Sequence, residues 1–237
     1  MLEIRGLNVA YGRVQVLYDV DLTVGEGELV ALLGTNGAGK TTILKAACGL
    51  VPVMSGDIRF DGHDLRKLDA HDLVGLGLVQ VPGGRGVFPG LTVLENLRIG
   101  GYRWRKDGKR LAAEVDRVVG AFPWLAERSS QMAGSLSGGQ QQMLNLARAF
   151  IACPRMLLVD ELSLGLAPRI TRQLLDMLDR ARQDGVTIVI VEQNASMALE
   201  ATEHAYFLER GRIRFDGASK ELLERPDLLR SVFIGSS

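Results

Sequence analysis

Short apolar runs bounded by glycine or proline occur in the first third of the chain and again in the last third. Such runs predict buried strands, whereas apolar residues that recur three and four positions apart predict helices. The segments with the strand pattern are 2–9, 14–24, 28–33, 57–60, 76–81, 155–159, 186–191, 206–209 and 213–215. The last two flank an Arg-Gly-Arg turn, which predicts a hairpin.

The middle third of the chain has a helical pattern instead. Thr92, with Glu95 three residues later, predicts a capped helix start. Charged helical sequence follows over 106–127, and Ser137 begins a further helix with apolar residues on one face. Other helices are predicted after residue 39, at 170–183 and at 196–201.

Strands flanked by helices at both ends of the chain, with a helical insert between them, predict an α/β fold with a largely parallel core. The length of 237 residues suits a single domain. We therefore expect residues 1–86 and 155–237 to form one core. Residues 87–154 are expected to form an inserted α-helical subdomain.

Composition and charge narrow the class of protein. The 28 basic residues balance the 28 acidic ones, which argues against a nucleic-acid partner held by bulk positive charge. Cys48 and Cys153 are far apart and lack metal-type spacing, so a reducing compartment is expected. No apolar run approaches the roughly 18 residues that span a bilayer, and the N-terminus lacks the pattern of a signal peptide. Any link to a membrane is therefore expected to run through a partner.

A phosphate-binding loop is the most specific motif, because the chain fits G-x-x-x-x-G-K-[ST] at every fixed position. Backbone N–H groups of such a loop, and the helix N-terminus after it, surround phosphate oxygens. A Gly-rich turn without a ligand is the alternative, but the strand before the loop and the helix after it favour phosphate binding. The loop and the next residue are Gly34, Thr35, Asn36, Gly37, Ala38, Gly39, Lys40, Thr41 and Thr42.

Three side chains of this loop have predicted roles. Lys40 can place a cation between the β- and γ-phosphates of a nucleotide, and Thr42 can support the α-phosphate. The Thr41 hydroxyl can ligate Mg²⁺. These residues predict a nucleoside triphosphate and Mg²⁺ as the ligands.

Two carboxylates follow the predicted strand 155–159. Because the carboxyl ends of parallel strands meet at one edge of a sheet, Asp160 and Glu161 are expected near the phosphate loop. Asp160 can hold Mg²⁺ through water, and Glu161 can polarise a water for attack on the γ-phosphate. Many strands end in acidic residues, so this interpretation depends on the phosphate loop.

A second anion site is predicted at a helix N-terminus, formed by Ser137, Gly138, Gly139 and Gln140. A well-capped helix without a ligand is the alternative. Only the first site has a lysine and metal ligands. We therefore expect a dimer in which this turn covers the γ-phosphate held by a partner subunit.

The phosphate loop, the Leu-Ser-Gly-Gly-Gln sequence at 136–140 and the Asp-Glu strand end, in this order, resemble the ATP-binding subunits of ABC transporters. The resemblance covers essentially the whole chain. It implies a P-loop core with an antiparallel β portion near the N-terminus, and two subunits that sandwich two ATP molecules. It also implies that Tyr11 stacks on adenine; the alternative for Tyr11 is a half-buried strand tyrosine.

The partners implied by the resemblance are membrane permease subunits, a second ATP-binding subunit and, indirectly, an external solute-binding protein. The chain would then lie in the cytoplasm on the inner face of the cell membrane. The permease is expected to contact the surface between Phe88 and Tyr102. The apolar residues that would supply this contact, and that can instead pack inside the helical subdomain, are Phe88, Pro89, Leu91, Tyr102 and Trp104.

Segments 81–89, 163–168, 191–194 and 232–235 resemble one branch, the second ATP-binding subunits of branched-chain amino-acid importers. Relatives of this branch handle urea and short amides, which is the main alternative substrate class. Gln193 stands at the position of the usual switch histidine and is predicted to act in catalysis. Gly83 stands where many family members have a glutamine that links the metal site to the permease. We therefore expect slow hydrolysis by the subunit alone.

Two other classes of protein remain as alternatives. One is a soluble ABC-type ATPase of DNA repair or translation, although the chain has neither heptads nor an internal repeat. The other is a subunit that binds ATP without hydrolysing it, which Asp160 and Glu161 argue against.

Overall fold

A computed structural model describes residues 1–84, 86–225 and 227–229, so segment 232–235 lies outside the described residues. The described elements follow one another in this order: β1 (Leu2–Tyr11), β2 (Val14–Val24), β3 (Leu29–Gly34), α1 (Lys40–Ala47), β4 (Val53–Phe60), β5 (His63–Asp64), α2 (Ala70–Leu76), β6 (Leu78–Val81), α3 (Val93–Gly100), α4 (Gly108–Ala121), α5 (Trp124–Glu127), α6 (Gly138–Ile151), β7 (Met156–Asp160), α7 (Pro168–Gln183), β8 (Thr187–Val191), α8 (Ala195–Ala201), β9 (His204–Glu209), β10 (Arg212–Ala218) and α9 (Ser219–Leu223).

Two sheets organise these elements. The first is antiparallel, with strand order β2-β1-β4-β5, and the second has the order β10-β9-β3-β8-β7-β6. Strands β9, β3, β8, β7 and β6 of the second sheet are parallel, and β10 pairs antiparallel at its edge. The α/β fold with a parallel core and an antiparallel N-terminal portion is therefore confirmed, as is the β9–β10 hairpin.

The core lies on both faces of the parallel sheet. Every residue of β3, β7 and β8 is buried, as expected for strands covered on two sides. Val30 and Leu32 of β3 face a cluster that includes α1 and the antiparallel sheet, whereas Ala31 and Leu33 face a cluster that includes α7 and α8. This layering leaves the carboxyl ends of the parallel strands free to carry a site.

The helices between β6 and β7 have an apolar cluster of their own, drawn from α3, α4, α5 and α6. The predicted helix start at Thr92 is confirmed, since its hydroxyl accepts a hydrogen bond from the Glu95 N–H at 3.2 Å and Glu95 accepts from the Thr92 N–H at 2.8 Å. The division into a core and a helical subdomain at residues 87 and 154 stays a prediction. None of the described helices is long and apolar enough to cross a bilayer.

Local structure differs from the sequence prediction between residues 69 and 81. Helix α2 was not predicted, and the strand expected over 76–81 begins only at Leu78. Asp69 and Asp72 form a capping box at the start of α2, and Gly77 ends it with a φ of 91°. That left-handed conformation favours glycine, so the Gly77 position ends the helix and lets the strand begin.

Candidate nucleotide-binding site

The predicted phosphate loop connects the end of β3 to the start of α1. Gly39 precedes the first helical residue and has a φ of 108°. A Cβ atom at this position would lie 2.6 Å from Leu17 Cδ2 of β2. Only glycine combines this backbone conformation with so close an approach. The loop is thereby held between β2 and α1, with the N-terminus of α1 at its end.

Lys40 is buried inside this loop, with 5% of its surface exposed. Its Nζ atom donates hydrogen bonds to the carbonyl oxygens of Gly34, at 2.8 Å, and Thr35, at 3.0 Å. Burial lowers the pKa of the Lys40 ammonium, and the carboxylates of Glu161 and Asp160 oppose that shift. Lys40 is therefore a buried basic group anchored by the carbonyl oxygens of its own loop.

The first turn of α1 meets the end of β7. Thr41 Oγ1 donates a hydrogen bond to Asp160 Oδ1 at 3.2 Å. Asp160 is buried, and this burial raises the pKa of its carboxyl, while the Thr41 hydroxyl acts in the opposite direction. Hydroxyl and carboxylate oxygens are the ligand atoms that Mg²⁺ prefers. The donor set of this pair therefore fits Mg²⁺.

Glu161 lies next to this pair in a left-handed conformation, with a φ of 45°. Its N–H donates to the Val191 carbonyl oxygen at 2.8 Å, and its Oε1 atom accepts a hydrogen bond from Gln193 Nε2 at 2.8 Å. The parallel pairing of β7 with β8 brings Glu161 and Gln193 together. Glu161 is thus oriented from the end of the neighbouring strand.

Lys40, Thr41, Glu161 and Gln193 line one cleft of about 370 Å³, whereas Asp160 is linked to it through its hydrogen bond with Thr41. Glu161 is the one carboxylate among its described lining residues, which are Val16, Asn36, Gly37, Gly39, Lys40, Thr41, Thr42, Glu161 and Gln193. The structure thus brings together most of the residues predicted for the phosphates, the metal and catalysis. Their roles in binding and catalysis stay predictions.

Tyr11 is close to this cleft. Its ring is 45% exposed, and its hydroxyl oxygen lies 3.5 Å from Thr42 Oγ1. An exposed ring beside the loop is available for stacking. The contact of Tyr11 with adenine stays a prediction.

The predicted second anion site does not meet the first within one chain. None of its residues is among the described residues that line the phosphate cleft. Ser137 and Gly138 are exposed, and Ser137 caps α6: its Oγ accepts from the Gln140 N–H at 3.3 Å, and Gln140 Oε1 accepts from the Ser137 N–H at 3.0 Å. The turn is therefore a capped helix start that faces outward.

Gly83 packs directly against the catalytic strand end. A Cβ atom there would lie 2.9 Å from the Asp160 carbonyl oxygen and 3.3 Å from Glu161 Cβ. Glycine lacks the side chain that the glutamine of many ABC transporter subunits provides at this position. Its lack of a Cβ atom also lets the loop after β6 approach the backbone of both acidic residues. Gln80, in strand β6 before this loop, lines a different cleft.

That second cleft has a volume of about 580 Å³. The residues that line it are His71, Val74, Gly75, Val79, Gln80, Ile99, Gly100, Tyr102, Arg103, Arg105, Asn145, Arg148, Ala149 and Ala152. This described lining contains three arginines and no Asp or Glu. Arg148 Nη2 donates to Asn145 Oδ1 at 2.8 Å, but Nη1 is shielded from solvent without a hydrogen-bond partner in the described structure.

The apolar residues predicted to contact a permease divide into two groups. Phe88 and Tyr102 are 46% and 66% exposed, and Phe88 lies under the Arg148 guanidinium. Trp104 is only partly exposed, and its Nε1 donates to the Ile151 carbonyl oxygen at 3.3 Å. Phe88 and Tyr102 are therefore available to a partner, whereas Trp104 packs against the end of α6.

One pair of residues at the site was missed by the sequence prediction. Glu192 is buried, and its carboxylate accepts hydrogen bonds from both the N–H and the hydroxyl of Ser163. The only signal for it was the position of Glu192 beside Gln193 at the end of an apolar strand.

Comparisons with known proteins agree with this geometry. The family model described as ABC transporter matches residues 17–163. The chain is 43% identical, over 99% of its length and 100% of the relative, to the high-affinity branched-chain amino acid transport ATP-binding protein BraG of Pseudomonas aeruginosa. It is 37% identical, over 94% of each chain, to the probable branched-chain amino acid transport ATP-binding protein LivF of Archaeoglobus fulgidus.

A solved structure is also similar. The dimeric post-hydrolysis state of the ATP-binding cassette MJ0796, bound to ADP and Pi, superposes with a TM-score of 0.81 at 25% identity, over 92% of this chain and 99% of that one. Together with the phosphate loop, the Thr41–Asp160 pair and the oriented Glu161, these similarities place the sequence in one family. The chain belongs to the ABC transporter ATP-binding family and is an ABC-type ATPase.

Proposed function

We propose that this chain is the ATP-hydrolysing subunit of an importer for branched-chain or other neutral amino acids. The observation that carries the ATPase role is that Lys40, Thr41 and Glu161 line one cleft and that Thr41 bonds Asp160. The transport role is supported by the similarity to BraG and LivF over nearly the full length of each chain. The chain would act on the inner face of the cell membrane, bound to permease subunits.

The residues in and beside the cleft have different proposed roles in hydrolysis. The loop N–H groups and Lys40 bind the phosphates, and Thr41 with Asp160 would hold Mg²⁺, which neutralises phosphate charge when bound. Glu161 orients and polarises the attacking water. The Gln193 amide donates to Glu161 Oε1 and so leaves the other carboxylate oxygen for that water. Gln193 cannot take up a proton near neutral pH, so it orients Glu161 and does not act as a base.

The turn formed by Ser137, Gly138, Gly139 and Gln140 is proposed to cover the γ-phosphate of a partner subunit. The partner is a second copy or a related chain. Ser137 and Gly138 are exposed at the N-terminus of the 14-residue helix α6, where the helix dipole favours an anion. The similar MJ0796 cassette is dimeric with ADP and Pi bound, which supports the dimer.

Replacing Gly138 by Asp tests the covering turn. A Cβ atom at Gly138 would meet only Leu166 Cδ2, at 3.9 Å, so the side chain fits without strain. A carboxylate there would repel the phosphate of the partner, because juxtaposed like charges cost several kcal/mol. We expect at least a tenfold loss of ATPase activity, which corresponds to about 1.4 kcal/mol, with unchanged ATP binding by the monomer.

The matched control for this variant is Gly138→Asn, which has nearly the same volume and no charge. ATP-dependent dimerisation is measured by light scattering and turnover by phosphate release. Equal losses in the Asp and Asn variants, or no loss in either, would argue against an anion at this turn.

The second cleft is lined by three arginines, and we call it the positively charged cleft. It is proposed to receive a permease helix that carries an acidic side chain. Arg103, Arg105 and Arg148 line it without an acidic residue in the described lining, and Arg148 Nη1 lacks a partner there. A shielded N–H group without a partner, such as Arg148 Nη1, costs free energy, and three arginines attract negative charge, so an incoming carboxylate would be favoured. Phe88 and Tyr102 supply exposed apolar surface for the same helix.

Uptake by the assembled transporter tests the proposed function. The chain is reconstituted in proteoliposomes with the permease subunits and the solute-binding protein that co-purify with it, and ATP-driven uptake of labelled leucine is compared with uptake of labelled urea. Leucine uptake supports the proposal; uptake of urea alone would assign the chain to an amide importer.

In the same assay Arg148→Glu should abolish uptake and leave ATP affinity unchanged. Arg128→Glu, at an exposed position outside the cleft, should leave uptake unchanged.

A further inference from the structure

We propose that Glu192 is a positioning residue for ATP hydrolysis, because its carboxylate fixes the segment that carries Glu161. Glu192 directly follows β8 and is 4% exposed. Its Oε1 atom accepts a hydrogen bond from the Ser163 N–H at 3.0 Å, and its Oε2 atom accepts one from the Ser163 hydroxyl. One buried side chain therefore holds both the backbone and the side chain of a residue two positions after Glu161.

Glu161 needs such support because its backbone is strained. A left-handed conformation is unfavourable in a residue other than glycine, and Glu161 has a φ of 45°. Such a conformation persists only where surrounding contacts enforce it. The direction of the Glu161 carboxylate in the cleft depends on this backbone conformation.

Residues 191–193 supply these contacts from the end of β8. The Val191 carbonyl oxygen accepts the Glu161 N–H at 2.8 Å, and Gln193 Nε2 donates to the Glu161 carboxylate at 2.8 Å. Glu192 binds on the other side, at Ser163. The strained residue is thus held at its backbone, at its side chain and just beyond it. We name the two hydrogen bonds between Glu192 and Ser163 the Glu192 clamp.

Residue chemistry explains why a carboxylate suits the clamp. Both groups of Ser163 that face Glu192 donate, and an ionised carboxylate accepts through both of its oxygens. A glutamine has the same shape but only one acceptor oxygen, so its NH₂ group would face one of these donors. Burial raises the pKa of the Glu192 carboxyl, while the hydrogen bonds from Ser163 favour its ionised form.

The clamp acts on catalysis and not on ATP binding. Glu192 and Ser163 are absent from the described lining of the nucleotide cleft, and the Glu192 carboxylate acts on Lys40 of that cleft only through its charge. Loss of the clamp would let Glu161 leave its position, and a misplacement of about 1 Å can cost roughly a hundredfold in rate. We expect Glu192→Gln to lower kcat about ten- to a hundredfold and to change KM for ATP less than twofold.

The control for this variant is Thr187→Val. Thr187 is fully buried at the opposite end of the same strand, and its hydroxyl accepts a hydrogen bond from the Gly27 N–H at 2.9 Å. The valine variant therefore also loses a buried hydrogen bond of β8, but far from Glu161. Both variants should unfold at lower urea concentration, and only Glu192→Gln should lose kcat.

A second variant tests the clamp with little effect on folding. Ser163→Ala removes the hydroxyl donor and keeps the N–H, so we expect a smaller loss of kcat, about threefold to tenfold. In the double variant the Ser163→Ala change should add little to the loss caused by Glu192→Gln, because both disrupt the same contact.

Steady-state ATPase assays on the full chain, with ATP and Mg²⁺ varied, give kcat and KM for the four variants. Two results would overturn the proposal. One is kcat unchanged in both Glu192→Gln and Ser163→Ala. The other is a loss of kcat in Thr187→Val equal to that in Glu192→Gln, which would show a general effect of destabilising β8.

Discussion

Replacing Glu161 by Gln should stop ATP turnover and leave ATP bound. Glu161 is the one carboxylate among the described residues that line the nucleotide cleft, and glutamine keeps its shape without its charge. General-base catalysis contributes about 10²–10⁴-fold to rate, so we expect kcat to fall by a factor in that range. Phosphate release measures turnover, and isothermal titration with ATP and Mg²⁺ measures affinity.

The Glu161→Gln variant also separates hydrolysis from closure. With turnover blocked, the ATP-bound dimer should accumulate and be visible by size-exclusion chromatography with light scattering. Glu200→Gln, at an exposed position in α8, is the matched control and should leave kcat unchanged. Turnover at the normal rate in Glu161→Gln would remove this residue from the mechanism.

Replacing Lys40 by Ala should abolish hydrolysis and weaken ATP binding as well. The Lys40 ammonium is the only lysine or arginine group among the described residues of the nucleotide cleft. A hydrogen bond to a charged group contributes about 1.5–3 kcal/mol, which corresponds to roughly a ten- to hundredfold loss of affinity. Removing a charge that stabilises the transition state costs about 10²–10³-fold in kcat.

The comparison of Lys40→Ala with Glu161→Gln distinguishes the two roles. Both lose turnover, but only Lys40→Ala should lose affinity in the titration with ATP. The Lys40 ammonium also bonds the carbonyl oxygens of Gly34 and Thr35, so urea denaturation must show that the variant is folded. Lys220→Ala, at an exposed position, is the control for loss of a lysine. Undiminished affinity in the folded Lys40→Ala variant would contradict its role at the phosphates.

The loop that follows β6 connects the nucleotide cleft with the positively charged cleft. The nucleotide cleft and the positively charged cleft have no lining residue in common among those described. Gly83 belongs to the loop that follows β6, and β6 supplies Val79 and Gln80 to the positively charged cleft. Since Gly83 also packs against Asp160 and Glu161, this loop is a direct physical connection between the two clefts.

Local sequence determined the parts of the site that lie within one short segment. The phosphate loop could be predicted because its glycines, Lys40 and Thr41 stand at invariant spacing between an apolar strand and a helix. The caps at Thr92 and Ser137 form where they were expected, because a cap depends on residues within one turn of a helix. Short continuous apolar runs were likewise sufficient to predict β3, β7 and β8 of the parallel core.

Short elements were less predictable. Helix α2 has seven residues, of which only Leu73 is buried, so its apolar periodicity is too weak to distinguish a helix from a strand. Its start depends on the paired hydrogen bonds of Asp69 and Asp72 and its end on Gly77. Trp104 is a similar case: its sequence surroundings are charged, and only the packing against α6 decides that its indole is partly buried.

The sequence alone determined which chemical groups this ATPase uses, because motif residues are specified by local spacing. Only the tertiary structure decided which of those groups meet. Thr41 contacts Asp160, Glu161 contacts Gln193, and Glu192 holds Ser163, all across large separations in sequence. The physical reason is the register of parallel strands: β7 and β8 pair so that Asp160 lies beside Val191, and the residues that follow each strand are brought into contact.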